Sequence, residues 1–196
     1  MSYQPFTIGK SFRICPPEAA SASDGRIDLI MQRGAFGSGE HETTESCLEI
    51  LEGLPGVRGA QVLDLGSGTG VLAIAALKLG AANAVCVDIA PDAVETARQN
   101  CRLNALDARV THVTGTLDAV MVSGFDLVLA NIYGDILIDL APPLTARVKK
   151  GGRLLLSGIL WEYNFDVRQA YERQGCLVVK NHLLEEFSSV ELLRLS

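Results

Sequence analysis

The stretch from Gln61 to Asp88 constrains this chain more than any other. An apolar segment there runs into Asp64-Leu65-Gly66-Ser67-Gly68-Thr69-Gly70, and a carboxylate ends the next apolar segment. Val62, Leu63 and Leu65 read as a short buried parallel strand. The glycines let the backbone turn sharply and approach a ligand with no side chain in the way. Val71, Leu72, Ile74, Ala75, Ala76 and Leu77 are apolar almost all round, the pattern of a helix packed on a sheet, and Gly80 suits its C-terminal cap. Ala84 to Val87 form a second strand that ends at Asp88. Strand, Gly-rich turn, helix and strand, closing on a carboxylate about 20 residues past the turn, is the layout of a βαβ nucleotide site. The stretch therefore predicts a held adenosine-containing cofactor. Asp88 can accept hydrogen bonds from both hydroxyls of a ribose, and its charge strengthens them.

The glycine spacing separates two cofactor classes. The pattern is Gly66-x-Gly68-x-Gly70, and Val71 stands where a dinucleotide fingerprint has its third glycine. That weakens a nicotinamide dinucleotide and favours S-adenosylmethionine, whose ammonium group suits the carboxylate of Asp64.

The remaining chain continues the alternation. Pro91 sits where a helix can begin, and Val94, Ala97 and Cys101 recur at helical spacing until Asn104. Strands fit Arg109 to Thr114 and Phe125 to Ala130, the latter nearly continuous in apolar residues and ending at Asn131. Leu137, Leu140 and Leu144 suggest a helix interrupted by Pro142 and Pro143. Gly151-Gly152 turns into a strand from Arg153 to Leu156, a helix follows from about Glu162 to Arg173, and two strands fit Cys176 to Asn181 and Val190 to Leu195. The segment between those last two has no room for a crossover helix, so they pair antiparallel. The expected fold class is α/β, a Rossmann-like, mostly parallel sheet with a C-terminal antiparallel hairpin, which is the architecture of class I methyltransferases. Residues 1–34 are expected to be a short β-rich extension packed on the core, and residues 35–196 the cofactor-binding domain.

With 196 residues the chain suits a single α/β unit, and its net charge of −6 argues against sequence-independent binding of nucleic acid. Cys15, Cys47, Cys86, Cys101 and Cys176 form no C-x-x-C pair and read as free thiols, while His41, His112 and His182 show no ligand spacing with them. No metal is expected. The start lacks a leader pattern, and no apolar run reaches the roughly 18 residues a membrane span needs. A cytoplasmic location is the expectation.

A second constellation lies upstream, Ala35-Phe36-Gly37-Ser38-Gly39-Glu40-His41-Glu42-Thr43-Thr44. By itself it is a Gly-rich turn entering a helix that Thr43 or Thr44 could cap. It closely resembles the A-F-G-T-G-x-H-x-T-T segment of the PrmA-type methyltransferases, which trimethylate a large-subunit ribosomal protein. The resemblance extends to Val62 through Ala81, to Ala130-Asn131-Ile132 and to Leu156-Ser157-Gly158-Ile159-Leu160, and it spans roughly Gln32 to the C-terminus. It implies that Thr44, Gly66, Asp88 and Asn131 contact S-adenosylmethionine and that Phe36 helps enclose its methionine end. Asp64, Gly68 and Ile89 join the cofactor set, and Leu117 with Asp118 lies where such enzymes hold adenine. Two departures stand out. The family's separate N-terminal recognition domain has only about 30 residues in its place here, and Ser188-Ser189-Val190-Glu191-Leu192 lacks the Trp-Cys pattern common near the family's end.

The resulting expectation is a methyltransferase acting on protein amino groups, a lysine or an N-terminal amine, with a ribosomal protein as one such partner. The alternatives are a non-catalytic S-adenosylmethionine-binding accessory protein and an enzyme for a small molecule. Asn131, at the end of an apolar strand, is the catalytic candidate, since its side-chain oxygen can aim an amine lone pair. Tyr133 could line the acceptor pocket or be a surface aromatic, and Trp161 could wall the substrate cleft or pack its helix on the core. His41 is expected to fix the Gly-rich segment, and Glu185-Glu186 to form a solvated turn.

Overall fold

The computed structural model describes residues 3–19, 24–32 and 41–196. Near the N-terminus, β1 (Phe6–Ile8), β2 (Phe12–Cys15) and β3 (Ile27–Ile30) form a small sheet in that order, β1 antiparallel and β3 parallel to β2. Arg13 and Asp28 are register partners on β2 and β3, and the guanidinium donates to the carboxylate from Nε at 2.8 Å. Ile8, Phe12, Ile14 and Leu29 are buried against Cys47, Leu48 and Leu51 of α1 (Glu42–Gly53), so this sheet shares the core of the larger unit.

The larger unit begins with β4 (Gln61–Leu65), α2 (Val71–Lys78), β5 (Asn83–Asp88), α3 (Pro91–Leu103) and β6 (Val110–Thr114). It continues through β7 (Phe125–Asn131), α4 (Gly134–Asp139), α5 (Ala141–Arg147), β8 (Val148–Leu160), α6 (Trp161–Glu172), β9 (Cys176–Leu183) and β10 (Phe187–Arg194). The seven strands run in the order β6-β5-β4-β7-β8-β10-β9. β4 to β8 are parallel, and β10 inserts antiparallel between β8 and β9. The chain therefore builds outward from β4 to β6, then returns to lay β7 on the other side of β4. Ligands bind at such a reversal in open α/β sheets, outside the carboxyl ends of the strands.

Residues 71 to 77 of α2 are all buried. Each flank has a neighbour, the sheet on one side and α1 with β3 on the other, which explains a helix apolar all round. The expected strands and helices occur, with three local differences. Strand β9 runs on to Leu183, and β10 begins at Phe187 and not at Val190, since Ser188 already pairs with Leu183. Thr43 and Thr44 do not cap α1; they lie inside it, and His41 is the cap, its Nδ1 accepting from Thr43 N at 3.3 Å. Strand β8 begins at Val148 and not at Arg153, because Val148 already pairs with Phe125 before an irregularity in which Gly151 takes φ +77. Regular pairing resumes at Arg153, where the apolar run Leu154-Leu155-Leu156 begins. Pro142 and Pro143 do mark a boundary, falling at the start of α5 where a missing N–H costs nothing. The expected boundary between residues 34 and 35 lies outside the described residues.

Candidate functional site

The glycine loop leaves β4 beside the end of β7, at the reversal of strand order. Gly66 N and Ser67 N both donate to Val87 O, at 2.8 and 3.0 Å, which ties the loop to the end of β5. Gly66, Gly68 and Gly70 have φ of +71, +52 and +79, a region that costs side-chain-bearing residues energy. At Gly66 a Cβ would lie 2.3 Å from Ile132 Cγ2, so the turn passes directly against the residue after Asn131.

Two carboxylates frame this loop differently. Asp88 is half-buried and takes two main-chain donors, Gly68 N on Oδ2 at 2.8 Å and Ala90 N on Oδ1 at 3.0 Å. Each oxygen keeps a lone pair for a further donor. Asp64 is almost fully buried, and its Oδ2 accepts from Ala73 N at 3.1 Å. Burial pushes its pKa up to about 7; the Ala73 donor opposes that shift and the nearby Asp88 charge adds to it. Ile89, next to Asp88, is 74% exposed. Leu117 is buried with Val87 and Val120, whereas Asp118 is exposed. Phe36 lies outside the described residues.

Across the reversal, Asn131 is half-buried, and its Nδ2 donates to Thr44 Oγ1 at 3.3 Å. That assignment leaves Oδ1 as the free accepting end. Its register partner on β8 is Ser157, which belongs to a buried chain of hydroxyls. Ser157 Oγ lies 2.7 Å from Ser189 Oγ, which lies 2.9 Å from Ser46 Oγ. These bonds lock α1, β8 and β10 together behind Asn131 and Thr44. His41 contacts Thr43 and sets its ring edge-on to Phe187, with centroids 5.3 Å apart. Glu185 and Glu186 are exposed as expected, and their N–H groups donate to the Glu42 carboxylate at 3.1 and 3.4 Å.

Two asparagines, Asn100 on α3 and Asn104 at its C-terminal cap, fasten the segment around β3, and Asn100, which sequence reasoning passed over, also holds the glycine loop. Asn100 is fully buried; its Nδ2 donates to Thr69 O at 2.9 Å and its Oδ1 accepts from Gln32 N at 2.8 Å. Asn104 accepts from Ile30 N and donates to Ile30 O, at 3.1 and 2.7 Å. The signal was present, since Asn104 continues the 94, 97, 101 apolar stripe and Asn100 stands four residues before it. A hollow of about 300 Å³ lined by Pro55, Asp126 and Lys149 lies at the amino ends of the central strands β7 and β8, where Asp126 and Lys149 pair with each other. It has no part in this site. Among the described residues no group of His, Cys, Asp and Glu is arranged to hold a metal ion, and no helix is long and apolar enough to cross a membrane.

Strand order, antiparallel β10 and a glycine loop closed by Asp88 define the fold of class I methyltransferases. The family model described as ribosomal protein L11 methyltransferase (PrmA) matches residues 1–192. This chain belongs to that family. A ribosomal protein L11 methyltransferase of Pelobacter propionicus is 44% identical over 179 residues, 88% of this chain and 58% of its own length. That of Trichlorobacter lovleyi is 41% identical over 177 residues, 87% of this chain and 58% of its own. The chain thus spans 58% of the length of these curated relatives. The crystal structure of ribosomal protein L11 methylase from Lactobacillus delbrueckii subsp. bulgaricus superposes with a TM-score of 0.89 at 27% identity, covering 99% of this chain and 100% of that one. An RNA methyltransferase of Salinibacter ruber, solved with S-adenosyl-L-homocysteine, shares the fold at a TM-score of 0.63 and 20% identity over 77% of this chain and 92% of its own.

Proposed function

We propose that this chain is an S-adenosylmethionine-dependent methyltransferase acting on amino groups of a protein, in which residues 35–196 carry the catalytic site and residues 1–34 form an extension. The observation that carries this reading is the pairing of Asn131 with Thr44 beside Gly66, at the reversal of strand order. The names of the relatives favour a ribosomal protein as substrate, and with it a cytoplasmic location.

The residues present fit the cofactor. Gly66 admits no Cβ, and the buried Ser67 Oγ in the same loop has no hydrogen-bond partner among the described residues. Asp88 would hold the ribose hydroxyls on its remaining lone pairs, with Ile89 against the adenine and Asp64, Gly66 and Gly68 along the methionine side. Phe36, Thr44 and Leu117 complete the set by resemblance. When bound, the cofactor supplies an electrophilic methyl group on a sulfonium, which needs neither acid catalyst nor metal.

The chain's own task is positioning. A lysine of solution pKa about 10.4 is mostly protonated at neutral pH and must lose its proton to present a lone pair. Asn131 Oδ1 can accept a hydrogen bond from the neutral amine and aim it. An Asn suits this better than an Asp, since a carboxylate would stabilise the ammonium form. The proton leaves to solvent.

Calorimetry with S-adenosylhomocysteine tests the cofactor assignment. Binding should be readily measured in the native chain and weaken at least tenfold in Asp88→Ala. Preferential binding of NAD, or indifference to Asp88→Ala, would refute it. Transfer of labelled methyl groups to lysine-bearing ribosomal proteins, lost in Asn131→Ala with cofactor binding retained, separates an enzyme from a cofactor-binding accessory.

A further inference from the structure

We propose that the starts of α4 and α6 form a docking face for an extended, positively charged peptide segment that carries the acceptor amine; this rests on the protein-amine reading above. The face is contiguous with Asn131. Tyr133 follows Asn131 by two residues and is the N-cap of α4, and Trp161 begins α6 four residues after Ser157, the register partner of Asn131. The two helix starts abut, because a Cβ on Gly134 would lie 2.7 Å from Tyr163 Cβ.

Large apolar side chains stand out from this face. Tyr133 is 66% exposed, Ile136 43%, Trp161 54% and Phe165 60%. Trp161 is held, not loose, since its Nε1 donates to Phe187 O at 2.9 Å and its N donates to Glu186 O at 3.2 Å. Trp161 and Phe165 are four residues apart and share one side of α6. An anchored aromatic costs little ordering entropy when a partner covers it, and a cluster of exposed ones marks an interaction surface.

Charge determines the partner. Glu162 and Asp166 run beside the Trp161–Phe165 stripe, again four residues apart, and Asp135 lies on α4. All three are exposed. Arg168 is the single basic residue on these two helices, and it is half-buried, with Nε donating to Asn164 Oδ1 and the guanidinium 6.0 Å from the Phe165 ring centre. Interleaved carboxylates repel a phosphate backbone and attract lysine and arginine, whose aliphatic stems cover aromatic rings while their charged heads reach the acids.

Trp161 is the only tryptophan, so its fluorescence reports occupancy of this face directly. Titration with a synthetic peptide holding one acceptor lysine among basic residues should change that fluorescence, and binding should weaken about tenfold between roughly 50 and 300 mM salt. A peptide with acidic flanks should leave it unchanged. Glu162→Lys with Asp166→Lys should raise KM for the basic peptide at least tenfold while kcat moves less than twofold and S-adenosylhomocysteine affinity is unaltered. Phe165→Ala should raise KM in the same manner. An unresponsive Trp161 together with unchanged KM in both variants, methyl transfer being intact, overturns this docking face and leaves the proposed activity standing. So does preferential binding of an oligonucleotide, or a dimer in sedimentation that Phe165→Ala dissolves, which would assign the face to a second copy. Absence of methyl transfer to every amine tested, with the basic peptide still shifting the fluorescence, refutes the activity and not the surface.

Discussion

Asn131 donates from Nδ2 to Thr44 Oγ1 across 3.3 Å, joining the end of β7 to the first turn of α1. The bond holds the amide in place, and with Nδ2 on the hydroxyl it is Oδ1 that is left to accept. Thr44→Val keeps the shape and removes the acceptor, freeing the amide to rotate. Methyl transfer should fall about tenfold in kcat, Thr44→Ser should restore it, and adding Thr44→Val to Asn131→Ala should cost nothing further. A double variant much slower than Asn131→Ala alone would show that Thr44 acts independently of Asn131.

Gly158 sits behind the same amide with φ +77, and a Cβ there would lie 2.6 Å from Ile132 O and 3.0 Å from Asn131 Oδ1. Both the backbone and its neighbours oppose a side chain. Gly158→Ala should lower stability by roughly 1–3 kcal/mol, seen as a fall in Tm of about 2–4 °C for each kcal/mol, and should reduce kcat as well. Gly151 has the same φ of +77 with nothing near its Cβ. The matching Gly151→Ala should lose less stability and no kcat.

Asp64 ties stability to pH. Its pKa in the fold is about 7, against 3.8 for the free group, so between those values the folded protein holds a proton that the unfolded chain has released. Stability from this group is fully present below about pH 4, declines as pH rises toward 7 and is flat above, a total of about 4 kcal/mol at most. Asp64→Asn keeps an acceptor for Ala73 N and removes the titration. Urea midpoints of the variant relative to the native chain should therefore rise between pH 4 and 7; parallel profiles would show that Asp64 is already ionised in the fold.

Asn100 and Asn104 can be told apart by one experiment. Asn100→Asp retains the acceptor for Gln32 N and replaces the donor to Thr69 O with an oxygen, so it disturbs the glycine loop. Asn104→Asp does the same to Ile30 O and to Asn100 O, neither of which belongs to that loop. Each should cost roughly 1–3 kcal/mol of stability, but calorimetry should show weakened S-adenosylhomocysteine binding only for Asn100→Asp. Equal affinities would confine Asn100 to fastening the segment that follows β3.

Much of the fold was readable because its signals are local. The apolar runs at Val62–Leu65 and Phe125–Ala130 mark strands buried on both faces, and Phe187–Arg194 pairs back on Cys176–Leu183 because the joining turn is short. The start of β8 escaped because Lys149 and Lys150 break the apolar pattern between Val148, which pairs with Phe125, and the regular pairing from Arg153. The cap on α1 escaped because a histidine ring nitrogen is a less common acceptor there than a threonine hydroxyl, and only the turn geometry reveals it.

The site divides along the same line. Of the candidate site, the glycine loop and Asp88 are legible in the sequence, because a βαβ unit closes such a site within some 20 residues of itself, and the family resemblance added Thr44 and Asn131. Tertiary structure alone decided that Asn131 meets Thr44 across 87 residues, that Asn100 reaches Gln32 across 68, and that Ser157 and Ser189 lock the elements behind them. Periodicity reports which way a residue faces. It carries nothing about which distant element faces back, and the orientation of the Asn131 amide depends on that distant partner.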